Sequence, residues 1–231
     1  MKVPQIVFGS SVRAAGKGYQ ILGASAGIPS HVLRDFCRRA PSHDALAQPE
    51  VDAEGFNFFA SGESNFIVAR SFFGGAEYSG RGGRVVLTNA IVLNSAQLLA
   101  YDFSPARVID TALSLGHMML TKRTEPILEP INLPDRPLPR TFSVSETIQP
   151  AVQRVTKLIA DGKSVLLTGF ANALPCIDMI VPALAKSKVP SFSSGINPSI
   201  QRSVDLVALK KPNVRTMLKL KREKFVCVDV G

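Results

Sequence analysis

Short apolar runs broken by glycine dominate the first part of the chain, and apolar stripes at helical spacing dominate the last part. Ile6, Val7 and Phe8 predict a strand over 3–10, closed by Gly9-Ser10-Ser11, with 17–26 as its partner. Glycines at 9, 16, 18, 23 and 27 suit hairpin or bulge backbone and oppose helix. Val32, Leu33, Phe36 and Cys37 recur at i, i+1, i+4 and i+5, which predicts a helix with Ser30 as N-cap, stopped by Ala40-Pro41. Residues 41–55 are polar and read as a loop. Phe56–Ala60 and Asn65–Ser71 read as two strands of a hairpin across Ser61-Gly62-Glu63-Ser64. The run 85–93 is apolar at odd and even positions alike, the pattern of a strand buried on both faces. Helices are expected over 95–100 and 105–120, the second with Pro105 in its first turn.

The texture then changes. Pro126, Pro130, Pro134, Pro137 and Pro139 stand too close together for a helix or a central strand, so 124–140 is expected to be an extended connector between domains. Beyond it, Ile148, Val152, Val155, Leu158 and Ile159 form one stripe of a helix capped by Ser145 and running through Asp161. A buried strand over 164–169 and a nearly all-apolar helix over 173–185 follow, with Pro182 expected to end or kink that helix. Strands over 191–195, 204–209 and 225–230 and a basic helix over 213–223 complete the pattern. The expected fold class is α/β (α+β): a glycine-rich mixed-sheet domain over 1–123, the connector, and a small α/β layer domain over 141–231.

Charge narrows the list of partners. The net charge is +9, and +6 of it lies between Lys210 and Lys224, where seven basic residues meet one acid, Glu223. No aromatic residue is interleaved there for base stacking, so the run reads as a solvated helix face, and nucleic acid is a disfavoured partner. Cys37, Cys176 and Cys227 are far apart and in apolar settings, as buried thiols of a reducing compartment would be. The N-terminus lacks a signal-like apolar region, and no run approaches the roughly 18 apolar residues of a spanning helix. The expectation is a cytoplasmic protein with no membrane partner.

Ten of the 17 glycines lie in the windows 9–27 and 74–83. Each window holds a basic turn in front of a strand: Gly16-Lys17-Gly18-Tyr19 before 20–25, and Ser79-Gly80-Arg81-Gly82-Gly83-Arg84 before 85–93. Glycine-hinged turns of this kind bring backbone N–H groups and cationic side chains close together, and they are the expected contact point for an anionic or protein partner. Other signals carry less. Gly162-Lys163-Ser164 copies the end of a phosphate loop, but Lys157 stands where the loop needs glycine, and a strand follows instead of a helix. His31, His43 and His117 share no ligand spacing with one another or with the cysteines, so no metal or cofactor is expected. Ser25, in Gly23-Ala24-Ser25-Ala26-Gly27, matches a nucleophile elbow by spacing alone.

Phe8-Gly9-Ser10, Gly16-Lys17-Gly18-Tyr19 with Ala24-Ser25-Ala26-Gly27-Ile28, and Gly80-Arg81-Gly82-Gly83 before a strand together resemble the N-terminal domain of bacterial GTPase-associated protein 1. Pro190-Ser191-Phe192-Ser193-Ser194-Gly195-Ile196-Asn197-Pro198 with Val204-Asp205-Leu206-Val207 resembles the segment that follows it. The resemblance implies a component of a bacterial conflict or defence system, encoded with a GTPase and effector modules, in which this domain has no established catalysis. It also implies relatives longer than this chain. One departure is a histidine of the family's strand after the glycine–arginine turn, where Thr88 or Asn89 stands here, and this leans the reading further from an enzyme. Three functions follow as expectations. The first is a non-enzymatic adaptor docking on a GTPase or related NTPase through Lys17, Tyr19, Arg81 and Arg84, with Ser25 and Asn89 alongside. The second is an enzyme or sensor taking a small phosphorylated ligand at the same turns, and the third a nucleic-acid binder using the basic helix.

Overall fold

The computed structural model describes residues 1–11, 18–48, 50, 52–76, 84–120, 126–139, 142, 145–185, 188–199, 201 and 203–230. Its frame is a mixed sheet of ten strands. The chain up to residue 128 contributes β2 (Gln5–Ser11), β3 (Gly18–Ser25), β4 (Glu54–Ser61), β5 (Asn65–Ala76), β6 (Arg84–Asn94) and β7 (Ile127–Leu128). The second half contributes β9 (Val165–Thr168), β10 (Phe192–Ser194), β11 (Leu206–Ala208) and β12 (Val226–Asp229). The strand order is β12-β9-β11-β10-β4-β5-β6-β2-β3-β7. Pairing is antiparallel from β10 to β3 and parallel among β10, β11, β9 and β12, so the sheet is mixed, with helices on both faces, as an α/β chain requires.

β6 lies near the middle, and Val86 to Leu93 are all buried, as the unbroken apolar run demands. On one face α1 (Ser30–Arg39) sets Val32 and Phe36 against Ile6, Phe8, Phe59 and Ile67. The register Ala69↔Asn57↔Ser193↔Val207↔Leu166 carries that face across the sheet to α6 (Val214–Arg222), whose Leu220 packs on Leu166 and Val207. The opposite face holds α2 (Ser95–Leu99), α3 (Pro105–Ser114), α4 (Gln149–Ala160) and α5 (Leu174–Leu184) over Phe58, Val68, Ile91, Leu167 and Phe192.

Several local expectations shift. Pro29, not Ser30, is the N-cap of α1, and no side chain caps it. Proline's fixed φ is already suited to the start of a helix, so Ser30 becomes the first helical residue. The fourth helix opens at Gln149, and Ser145 takes the Ile148 N–H on its backbone carbonyl instead of capping the helix with its side chain. α3 stops at Ser114 because Gly116 and Met118 turn back with φ of 76° and 57°, which leaves His117 beyond the helix. Pro182 stays inside α5 in its last turn. Only Cys176 is a buried thiol. Cys37 is exposed, following Phe36 onto the outer side of α1, and Cys227 is exposed on the edge strand β12.

The proline-rich stretch is packed where it is described. β1 (Lys2–Val3) pairs with β8 (Ile131–Asn132), β7 runs along β3, and Ile131 and Leu133 are buried. The Tyr101 hydroxyl donates to the Pro134 carbonyl at 3.0 Å, and the Leu138 N–H donates to Thr111 Oγ1 at 3.3 Å. Prolines here stand at bends and beside two-residue edge strands, where no ladder donor is needed. Sheet and core continue across this stretch: β4 pairs with β10, and Phe58 and Ile109 share one cluster with Val165 and Ile177.

Candidate functional site

β2 and β6 are antiparallel neighbours, with Phe8 opposite Thr88 and Gln5 opposite Ile91. The end of β2 at Ser11 therefore lies beside the start of β6 at Arg84, and the β2–β3 and β5–β6 hairpins turn at the same end of the sheet. The strand ends that flank the two glycine-rich basic segments, Ser11 and Gly18 on one side and Ala76 and Arg84 on the other, thus lie at one end of the sheet. Residues 12–17 and 77–83, Lys17 and Arg81 among them, lie outside the described residues. Tyr19 and Arg84 flank them and are described.

Tyr19 joins the two hairpins. Its hydroxyl accepts the Val86 N–H at 2.8 Å, reaching across β2 to the strand beyond. Its ring packs 5.7 Å from Phe8 and edge-on to His43 at 4.9 Å, and the hydroxyl lies 3.4 Å from His43 Nδ1. Arg84 is exposed, with its guanidinium 4.9 Å over the Phe73 ring. A cation–π contact at such a site contributes about 0.5–1 kcal/mol and holds the charge in a fixed place. The register of β5 shifts between Phe73 and Gly75, where Gly75 has φ 120°, and this bulge turns the end of the hairpin. Beneath lies a small cluster of Ala45, Leu46, Val86 and Ile196, joined by Tyr19 and Phe73. The Leu46–Ile196 bridge fastens this end to the second half of the chain.

Ser25 and Asn89 stand elsewhere. Ser25 is at the far end of β3, 4% exposed, and its Oγ accepts the Gln5 N–H at 3.0 Å. That bond fastens β2 to β3 and gives the hydroxyl a structural partner. Asn89 is in the middle of β6 on the face of Ile91 and Leu93, opposite to the face of Phe8 and Tyr19. Its Nδ2 donates to the Leu120 carbonyl at 3.0 Å, while its buried Oδ1 has no partner among the described residues. Across the strand Arg70 bonds Glu54 Oε2 at 2.8 Å and the Met118 carbonyl at 3.2 Å. Thr88 is buried on the other face, hydrogen-bonded to Ser71 at 2.9 Å.

Sequence reasoning missed His43, Phe73 and the 43–46 segment at the hairpin end. Gly74-Gly75 was the available signal, since paired glycines in a strand mark a bulge. On α6, Thr216 and Leu220 face inward while Arg215, Lys221 and Arg222 are exposed, the solvated basic face expected of that run. Among the described residues no group of His, Cys, Asp and Glu gathers closely enough to hold a metal ion, and no helix is long and apolar enough to cross a membrane. Neither a curated protein nor a solved structure matches the chain. The family model described as GTPase-associated protein 1, N-terminal domain type 2, matches residues 2–132.

Proposed function

This chain belongs to the family of GTPase-associated protein 1, N-terminal domain type 2, and from that membership we propose that it is a non-enzymatic adaptor that docks on a GTPase or related NTPase. Docking takes place at the hairpin end of the sheet, in the cytoplasm, as part of a bacterial conflict or defence system. The observation that supports this is that the β2–β3 and β5–β6 strand pairs end at one edge of the sheet, braced by the Tyr19–Val86 hydrogen bond, with Arg84 exposed there. Arginine and tyrosine are over-represented among the residues that carry interface energy. A guanidinium already held over Phe73 loses less side-chain freedom on binding than a free one.

The test begins with capture of the partner GTPase from the native bacterium by affinity purification and mass spectrometry, followed by titration calorimetry of the purified pair. Arg84→Ala is expected to weaken binding more than tenfold, the loss of a charge-assisted contact worth about 1.5–3 kcal/mol. Its melting temperature should stay within the small shift of a surface change. Arg222→Ala on α6 should bind as the unaltered chain does. Equal binding by Arg84→Ala and the unaltered chain would refute the docking end.

A further inference from the structure

The parallel strands β9, β10 and β11 finish at the same end of the sheet as the hairpins. Ser194 opposes Phe56, Glu54 opposes Phe72, and Phe72 opposes Leu87 near the start of β6. From β9 the chain crosses through α5 to β10 on one face. From β11 it crosses through α6 to β12 on the other face and in the opposite direction. Crossovers that diverge from neighbouring parallel strands leave a crevice at the strands' carboxyl ends, which is where open α/β sheets take ligands. Here the crevice is a cleft of about 380 Å³, within the range of small-molecule sites. Gly169 and Gly195, with φ of 80° and 67°, turn the chain away from the ends of β9 and β10 and form part of this region.

The lining is chemically mixed. Phe56 and Phe170 supply apolar wall, and both are 7% exposed. Lys210 and Lys211 follow β11 at the rim with their side chains exposed. The start of α5 also lines the cleft, with Asn172 Oδ1 accepting the Leu174 N–H at 3.0 Å, so the positive end of the helix dipole lies here. Two carboxylates are present: Glu54 is paired with Arg70 at 2.8 Å, and Asp52 is exposed. Ser194 adds a polar group: it lines the cleft on the same side as Phe56, where its hydroxyl can exchange a hydrogen bond to water for one to a ligand oxygen.

We infer that this cleft binds a small phosphate ester with an apolar or ring-shaped body. The phosphate sits between Lys210, Lys211 and the start of α5, and the body lies against Phe56 and Phe170 within reach of the Ser194 hydroxyl. This site is separate from the docking end proposed above and stands without it.

Titration calorimetry of the full chain with guanosine 5′-monophosphate, ribose 5-phosphate, inorganic phosphate and guanosine tests the assignment. At least one of the three phosphate-bearing probes should bind with a dissociation constant below about 1 mM, and guanosine at least tenfold more weakly than its monophosphate. The double change Lys210→Ala, Lys211→Ala should weaken the binding probe at least tenfold. Ser194→Ala should weaken it several-fold with little change in melting temperature, since no internal hydrogen bond is lost. Lys221→Ala with Arg222→Ala, an equal loss of charge on α6, should leave binding unchanged. The inference is overturned if no phosphate-bearing probe binds, if guanosine binds as well as its monophosphate, or if the α6 pair weakens binding as much as the cleft pair.

Discussion

Removing a single oxygen should loosen the two hairpins from each other. In Tyr19→Phe the ring keeps its packing on Phe8 and His43, but the Val86 N–H loses the hydroxyl 2.8 Å away that accepts it. Val86 is 0% exposed. Leaving a buried donor without a partner costs about 1–3 kcal/mol. Tyr19 is itself half-buried, so water partly replaces its hydroxyl, and the lower end of that range applies, about 1–2 kcal/mol. For a chain of this length each kcal/mol shifts the melting point by roughly 2–4 °C, so Tyr19→Phe should melt about 2–8 °C lower. Amide hydrogen exchange sharpens the test, because the Val86 amide should exchange faster while amides of β9 and β11 keep their protection. Tyr19→Leu should cost a further ~0.5–1.5 kcal/mol by removing the aromatic contacts as well. An unchanged melting point together with unchanged protection of Val86 in Tyr19→Phe would refute the brace between the hairpins.

Other elements give separate tests. Gly195→Ala should destabilise the fold by about 2–4 kcal/mol in urea denaturation, since its φ is 67° and a Cβ there would stand 2.4 Å from the Glu54 carbonyl oxygen; a loss under about 0.5 kcal/mol would contradict that close approach. Burial raises the Asp205 pKa, but the Lys188 ammonium and the Ser191 N–H and hydroxyl outweigh it, holding the carboxyl below its ordinary value. Its contribution is therefore present above the unfolded carboxylate range and is lost as pH falls through the depressed folded value, so urea midpoints should fall more steeply below about pH 4 in the unaltered chain than in Asp205→Asn. Because β4 pairs with β10 and one core spans both sides of the proline-rich stretch, the chain should show a single calorimetric transition, and a fragment of residues 1–123 should not melt cooperatively; two resolved transitions would restore two independent units.

The elements were legible because each rests on local chemistry. The unbroken apolar run of β6 and the stripe of α4 announce themselves within a few residues. What escaped depends on sequence-distant partners. The five prolines do interrupt regular structure, but whether such a stretch is a free connector or a packed strap depends on Met1, Thr111 and Tyr101 reaching it, and no local pattern reports that. Ser25 was singled out by the glycines around it and Asn89 by the resemblance, and neither signal tells that the strands place one at the far end of β3 and the other on the opposite face from Tyr19.

The shared end of the two hairpins' strands shows the same limit from the other side. Both glycine-rich segments were visible, but the adjacency of the strands that flank them depends on β6 choosing β2 as its neighbour, a pairing that joins Thr88 to Phe8 across most of the first half of the chain. The cleft at the ends of β9, β10 and β11 was less visible still. Phe56, Phe170, Ser194 and Lys210 are ordinary residues from four separated segments, and only the opposite crossovers of α5 and α6 bring them together. Between the hairpin end and the cleft runs one segment whose His43 and Leu46 serve the first and whose Ala47 and Gln48 line the second. The sequence shows that segment only as a polar loop, because its role comes from the two structures it separates.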